Sequence, residues 1–166
     1  MVLVGVKTFK ELLNALRAQL RTAHDEGLLR TPSHDIYKWV RRNDEPEADE
    51  EILGGVKSSR DPADAHLVRD DGAWIHFKIR VRQEDRSTLM AVAFDFEIVF
   101  PEPHTPPWLR FDLNPPGHSN EERELRSHLH PGNDDILVRA LEMTPQAILD
   151  QLVRGLRPRD PGRPRA

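Results

Sequence analysis

The sequence predicts an α+β fold: an antiparallel β-meander of three to five strands packed against N- and C-terminal helices. Three observations predict it. Residues 74–82 alternate in polarity, with Ile75, Phe77, Ile79 and Val81 on one face and His76, Lys78, Arg80 and Arg82 on the other. Residues 88–100 alternate in the same way, with Met90, Val92, Phe94, Phe96, Ile98 and Phe100 toward the core, after a short connection, Glu84-Asp85-Arg86-Ser87, suited to a hairpin. Helical periodicity appears instead at the two ends of the chain.

Taken in order, residues 8–26 read as an amphipathic helix. Thr8 is placed to cap it with Glu11 three positions on, Phe9, Leu12, Leu13, Leu16 and Leu20 share a face, and Gly27 follows the end. Residues 33–42 predict a second helix, whose Tyr37, Lys38, Trp39, Arg41 and Arg42 would suit a packed turn or a nucleic-acid strand. Residues 43–64 begin acidic, pass through Gly-Gly and Ser-Ser, and read as a flexible acidic loop. Asp70-Asp71-Gly72 is a turn ahead of the two long strands, and the proline-rich residues 101–107 cross to a third strand, 108–113. Pro115, Pro116 and Gly117 end that strand. Residues 119–126 suggest a short capped helix, 136–138 an edge strand, and Thr144-Pro145 the start of a closing helix with Ile148, Leu149, Leu152, Val153 and Leu156 on its apolar stripe. Residues 1–158 thus read as one domain, and 159–166 as a disordered basic tail.

Composition narrows the functional classes. Of 166 residues, 37% are hydrophobic and 31% charged, which is polar for a folded domain. Cysteine is absent, so disulfides and thiolate metal sites are excluded. No apolar run approaches the roughly 18 residues that span a bilayer, and the N-terminal MVLVGVKTF is short for a signal peptide, so a cytoplasmic protein without a membrane partner is expected. The net charge of −4 does not by itself argue for a nucleic-acid partner.

Chemistry concentrates between Trp108 and Leu137. As a strand, 108–113 places Arg110 and Asp112 on the face opposite Leu109, Phe111 and Leu113. His118 follows the break. His128 and His130 share a face if their segment is extended. Two imidazoles with a carboxylate nearby suit either a divalent metal or acid–base catalysis. In the acid–base case His128 and His130 exchange protons, Asp112 orients a neighbour, His118 assists, and Arg110, Arg80 and Arg82 face a phosphate. In the metal case His118, His128, His130 and Asp112 are the expected ligands. Tight metal binding is not expected, because an open loop offers few groups to orient the rings. His24, His34, His66, His76 and His104 are scattered and read as structural or surface residues.

Arg110-Phe111-Asp112, the proline-rich turn with His118, and His128-Leu129-His130 resemble the TumE-like toxins of bacterial toxin–antitoxin modules. The resemblance covers roughly residues 78–156. It departs at the turn, where the family carries paired histidines and this chain has Pro116-Gly117-His118. It implies a small RNA-directed nuclease with an antitoxin protein as partner. The order of elements also resembles ubiquitin-conjugating-enzyme-like domains. Without cysteine such a chain would be a non-enzymatic partner-binding module, or a subunit of a larger bacterial assembly. A His128/His130 pair open to solvent beside Arg110 would favour the enzyme; a buried, backbone-bonded pair would favour the binder.

Overall fold

The computed structural model describes residues 2–46, 49–56, 59–118 and 125–158. Among these described residues it is an α+β structure: a nine-stranded antiparallel sheet, not closed into a barrel, with three α-helices. The elements in order are β1 (Val2–Leu3), α1 (Phe9–Asp25), α2 (Ser33–Trp39), β2 (Val40–Arg42), β3 (Glu50–Gly54), β4 (Leu67–Val68), β5 (Trp74–Asp85), β6 (Thr88–Val99), β7 (Trp108–Leu113), β8 (Ser127–His130), β9 (Val138–Arg139) and α3 (Pro145–Asp150). The main path across the sheet is β2-β3-β5-β6-β7-β8-β9, with β1 paired to β6 and β4 to β5. The expected meander is therefore the centre of a larger sheet. No helix among the described residues is long and apolar enough to cross a membrane.

Helix α1 forms where its caps and periodicity place it. The Thr8 hydroxyl accepts a hydrogen bond from the Glu11 amide at 3.2 Å, a cap that stabilises by about 1 kcal/mol. Leu12, Leu16, Leu20 and Ala23 recur at helical spacing and are fully buried. They meet Ile75, Phe77 and Ile79 of β5, Phe94, Phe96 and Ile98 of β6, and Ile148, Leu149, Leu152 and Val153 at the C-terminus in one core. Helices thus cover one face of the central strands, and the polar alternates of those strands lie on the other. Thr144 caps α3 by accepting from the Ala147 amide at 3.2 Å, with Pro145 in the first turn, and a π-helical turn, Gln151–Gly155, follows.

Three expectations need correcting. The acidic loop contains a strand: β3 pairs with β5 in the register Glu51↔Arg80, Leu53↔Lys78 and Gly54↔Phe77. The physical reason is cross-strand charge. Glu51 is fully buried, its carboxylate 2.9 Å from Lys78 Nζ and 3.2 Å from Arg80 Nε. A run that looks solvated in isolation is the complement of the basic stripe. Gly54 belongs there because a Cβ would stand 2.2 Å from the buried Phe77 ring. Second, residues 33–42 are helix only as far as Trp39 and strand from Val40, and Trp39 stacks on His66 with ring centroids 3.4 Å apart, so its face is already covered. Third, Val92 is an extra residue in β6: Arg80 pairs with Ala93 and Val81 with Ala91. The bulge shifts the phase, so Leu89 and Ala91, rather than Met90 and Val92, enter the core ahead of Phe94. The short helix expected at 119–126 falls largely, and the basic tail at 159–166 entirely, outside the described residues.

Arg69 is fully buried and ties the C-terminus to the sheet. Its guanidinium donates to the carbonyls of Leu152, at 2.6 Å, and Leu156, where the closing helix ends, and pairs with Asp71. Removing one partner of a buried ionic group leaves the rest uncompensated. Arg69→Ala is expected to lower stability by about 3–5 kcal/mol in urea unfolding; a loss below about 1 kcal/mol would show that the contact is incidental.

Candidate functional site

Strand β7 alternates as its sequence requires. Leu113 is buried in the core, Leu109 and Phe111 pack against it, and Arg110 and Asp112 point to the opposite face. Strand β8 returns beside it in the register Arg110↔His130, Phe111↔Leu129 and Asp112↔His128. The two-residue spacing of the histidines therefore puts both rings on the face of Arg110 and Asp112. Asp112 Oδ2 lies 3.1 Å from His130 Nε2 and 3.5 Å from His128 Nε2, and the two Nε2 atoms are 3.1 Å apart. His128 is 2% exposed and His130 5%. Among the described residues these three side chains form the group close enough to share one metal ion.

The surroundings hold these groups in place. His128 Nδ1 is 2.7 Å from the Leu125 carbonyl oxygen, and only an N–H can face a carbonyl at that distance. Arg110 Nε donates to both oxygens of Asp112, at 3.0 and 3.2 Å, and its Nη1 lies 2.9 Å from Asp134 Oδ1 and 3.9 Å from Glu97 Oε2. Burial disfavours the Arg110 charge, but Asp112, Asp134 and Glu97 more than offset this and raise its pKa. Arg60 forks onto Glu97 at 2.7 and 2.9 Å while its guanidinium lies 3.6 Å from the centre of the Trp108 ring. His76 Nε2 is 3.3 Å from Glu97 Oε1.

Above this face runs an open groove of about 460 Å³, lined by Arg60, His76, Lys78, Glu97, Arg110 and Asp112 among others. The apolar trio Trp74, Val99 and Trp108 forms a separate small cluster. Since these three pair in register across β5, β6 and β7, they share the polar face and wall one end of it.

The expected residues divide into those brought together and those placed elsewhere. Asp112, His128, His130 and Arg110 form one site. His118 does not join it: it is exposed beyond the turn that ends β7, its amide donating to the Pro115 carbonyl at 3.3 Å, and the third potential ligand is Asp112. Arg80 lines the groove and is bound to Glu51, whereas Arg82, held by Asp49 at 2.9 and 3.0 Å, lies outside the groove lining. The basic stripe Lys78, Arg80 and Arg82 meets the carboxylates of Glu51 and Asp49 on the neighbouring chain segment. The premise that the rings lack orienting partners also fails, because β8 is a strand and Leu125 fixes one ring. Arg60, and Glu97 as a buried anchor, were not foreseen. Glu97 showed only as a polar residue in a central strand; Arg60 gave no local signal.

Glu97 carries a pH consequence. Its burial opposes ionisation, but hydrogen bonds and charge from Arg60 and His76 prevail and bring the carboxyl from 4.5 down to about 2. The unfolded chain takes up this proton near pH 4.5, the folded chain only near pH 2. The stability from this group is thus complete above pH 4.5 and lost as pH falls toward 2, by about 3 kcal/mol. Stability measured between pH 5 and 2.5 should fall steeply in the native chain and more shallowly in Glu97→Gln; parallel curves would remove Glu97 as the cause.

No family model, curated protein or solved structure matches this chain.

Proposed function

We propose that this protein is a toxin-like nuclease directed at RNA, with its chemistry centred on Asp112, His128 and His130. The observation that carries the reading is the convergence of two buried imidazoles on Asp112, where that part-buried carboxylate meets an open groove of charged groups. Phosphodiester cleavage needs a base for the attacking oxygen, a proton for the leaving oxygen, and positive charge for the phosphorane. The cluster can supply the base and the acid, through a ring or through a water held there. Arg110 and Arg60 can supply the charge. Both reach Asp134, at 2.9 and 4.0 Å, and that carboxylate is 60% exposed. Exposed pairs of this kind stabilise by about 1 kcal/mol or less, so an incoming phosphate oxygen can replace the Asp134 carboxylate at little cost.

A specific observation favours a second reading. His128 is buried and backbone-bonded, and the β9 end of the sheet exposes Ile136, Val138 and Leu141. Those features suit a non-enzymatic module, similar to ubiquitin-conjugating-enzyme-like domains or a subunit of a larger assembly. On that reading the chain binds no RNA and His128→Ala is silent.

The test is cleavage of single-stranded RNA by the purified, tag-free chain in a buffer holding several divalent ions, beside growth of bacteria expressing it without an antitoxin partner. Native protein is expected to cleave and arrest growth, and His128→Ala to lose at least about a hundredfold in rate. Asp134→Ala should tighten RNA binding about fivefold, the equivalent of about 1 kcal/mol. A native chain that neither cleaves RNA nor slows growth would overturn the reading.

A further inference from the structure

We propose that Asp112, His128 and His130 bind one divalent first-row transition-metal ion, of the zinc, manganese or iron(II) class. The inference deepens the nuclease reading and rests on it only for what the ion does, not for whether it binds.

The first argument is spacing. With metal–ligand bonds of about 2.1 Å, ligand atoms sit about 3.0 Å apart at right angles and about 3.4 Å apart at the tetrahedral angle. Two of the three separations here, both 3.1 Å, fall in that range and the third, 3.5 Å, lies just beyond it; the three atoms are one carboxylate oxygen, Asp112 Oδ2, and Nε2 of each ring. A point about 2.1 Å from all three atoms lies roughly 0.9 Å off their plane. The three ligands then occupy one side of the ion and leave positions open on the other. Two imidazoles and one carboxylate on one face is a donor set that suits zinc, manganese and iron(II), and disfavours magnesium and calcium, which take oxygen ligands.

The second argument counts hydrogens. The Leu125 carbonyl fixes the proton of a neutral His128 on Nδ1 and leaves a lone pair on Nε2. That lone pair faces His130 Nε2 at 3.1 Å and Asp112 Oδ2 at 3.5 Å. Asp112 Oδ2 brings further lone pairs. If His130 carries its proton on Nε2, that one hydrogen serves two acceptors, and its Nδ1 becomes a buried lone pair without a partner among the described residues. If it carries the proton on Nδ1, three sets of lone pairs converge with no hydrogen among them. Buried lone pairs held this close are costly unless a positive group joins them. One divalent ion satisfies all three together.

The third argument is support. Leu125 orients His128, and Arg110 holds both Asp112 oxygens, the kind of outer contacts that set ligand orientation. Both rings are nine-tenths buried or more. They sit on a strand paired along its length with β7, so the site is largely formed before an ion arrives.

With both Nε2 lone pairs committed, neither ring can be the base. The ion supplies it as bound hydroxide. The hydroxide takes the 2′-hydroxyl proton and becomes water; the 2′-oxygen forms a bond to phosphorus; the bond from phosphorus to the 5′-oxygen breaks, and that oxygen takes a proton from the bound water, which returns hydroxide.

The test uses the tag-free full chain, stripped with a chelator and titrated with zinc and with cobalt(II), whose visible spectrum reports its ligands. One ion per chain is expected, with His118→Ala unchanged and with His128→Ala and Asp112→Asn at least tenfold weaker. Circular dichroism accompanies each titration to establish that each variant is folded, and a fall in cobalt absorbance in a folded His130→Ala chain serves as a third readout. Zinc binding that is equal in the native chain and in a folded variant lacking both His128 and His130 overturns the proposal, as does binding that His118→Ala removes. The two readings fail separately. Ion binding without RNA cleavage keeps the metal site and removes the nuclease; RNA cleavage by a chain that binds no ion at these residues keeps the nuclease and removes the metal site.

Discussion

The polar face of this sheet depends on one buried carboxylate. Glu97 sits on β6, a central strand, and is 1% exposed. Arg60 forks onto it, His76 lies against it, and Arg110 reaches it while gripping Asp112. Asp112 in turn meets both histidines of β8. A line of charge thus runs from the middle of the sheet to the candidate site, each member held by the one before. Buried ionic groups of this kind contribute little net stability relative to apolar replacements, yet losing one member strands the others. They specify geometry rather than strength, and the apolar face beneath α1 and α3 carries the burial, roughly 1.5–3 kcal/mol for each large side chain.

That division of labour explains what was legible in the sequence. Alternation in β5, β6 and β7 was readable because one face must meet helices. The two-residue spacing of His128 and His130 told which way the rings point, and the polar alternates of β7 told which neighbours they meet. Asp112 and His128 became direct partners through a register that no local pattern states. His118 read as a ligand because it is close in sequence, but the turn carries it past the sheet.

The acidic stretch hides its strand for a related reason. Glu50, Glu51 and Ile52 resemble a solvated run until the Lys78 and Arg80 ladder is placed beside them. Charge complementarity between segments about thirty residues apart is invisible to a window of ten. The same ladder commits Arg80, and Asp49 commits Arg82, leaving Arg60 and Arg110 as the cations nearest an exchangeable carboxylate. Arg60 escaped notice because its role comes from tertiary placement alone: a ring to lie over, Trp108, and a carboxylate to fork onto. The bulge at Val92 is a smaller case. One residue moved Leu89 and Ala91 inward, and alternation alone does not mark where a strand gains an extra residue.

The central claim is that register and the Leu125 carbonyl leave a bare His128 ring nitrogen facing Asp112 and His130. Nitrogen-15 NMR of the histidine rings in the metal-free chain tests it most directly. The account predicts that His128 carries its hydrogen on Nδ1 with Nε2 bare, and that added zinc shifts Nε2 of both His128 and His130 while leaving His118 unmoved. A His128 ring protonated at Nε2, or zinc-induced shifts confined to other histidines, would contradict it.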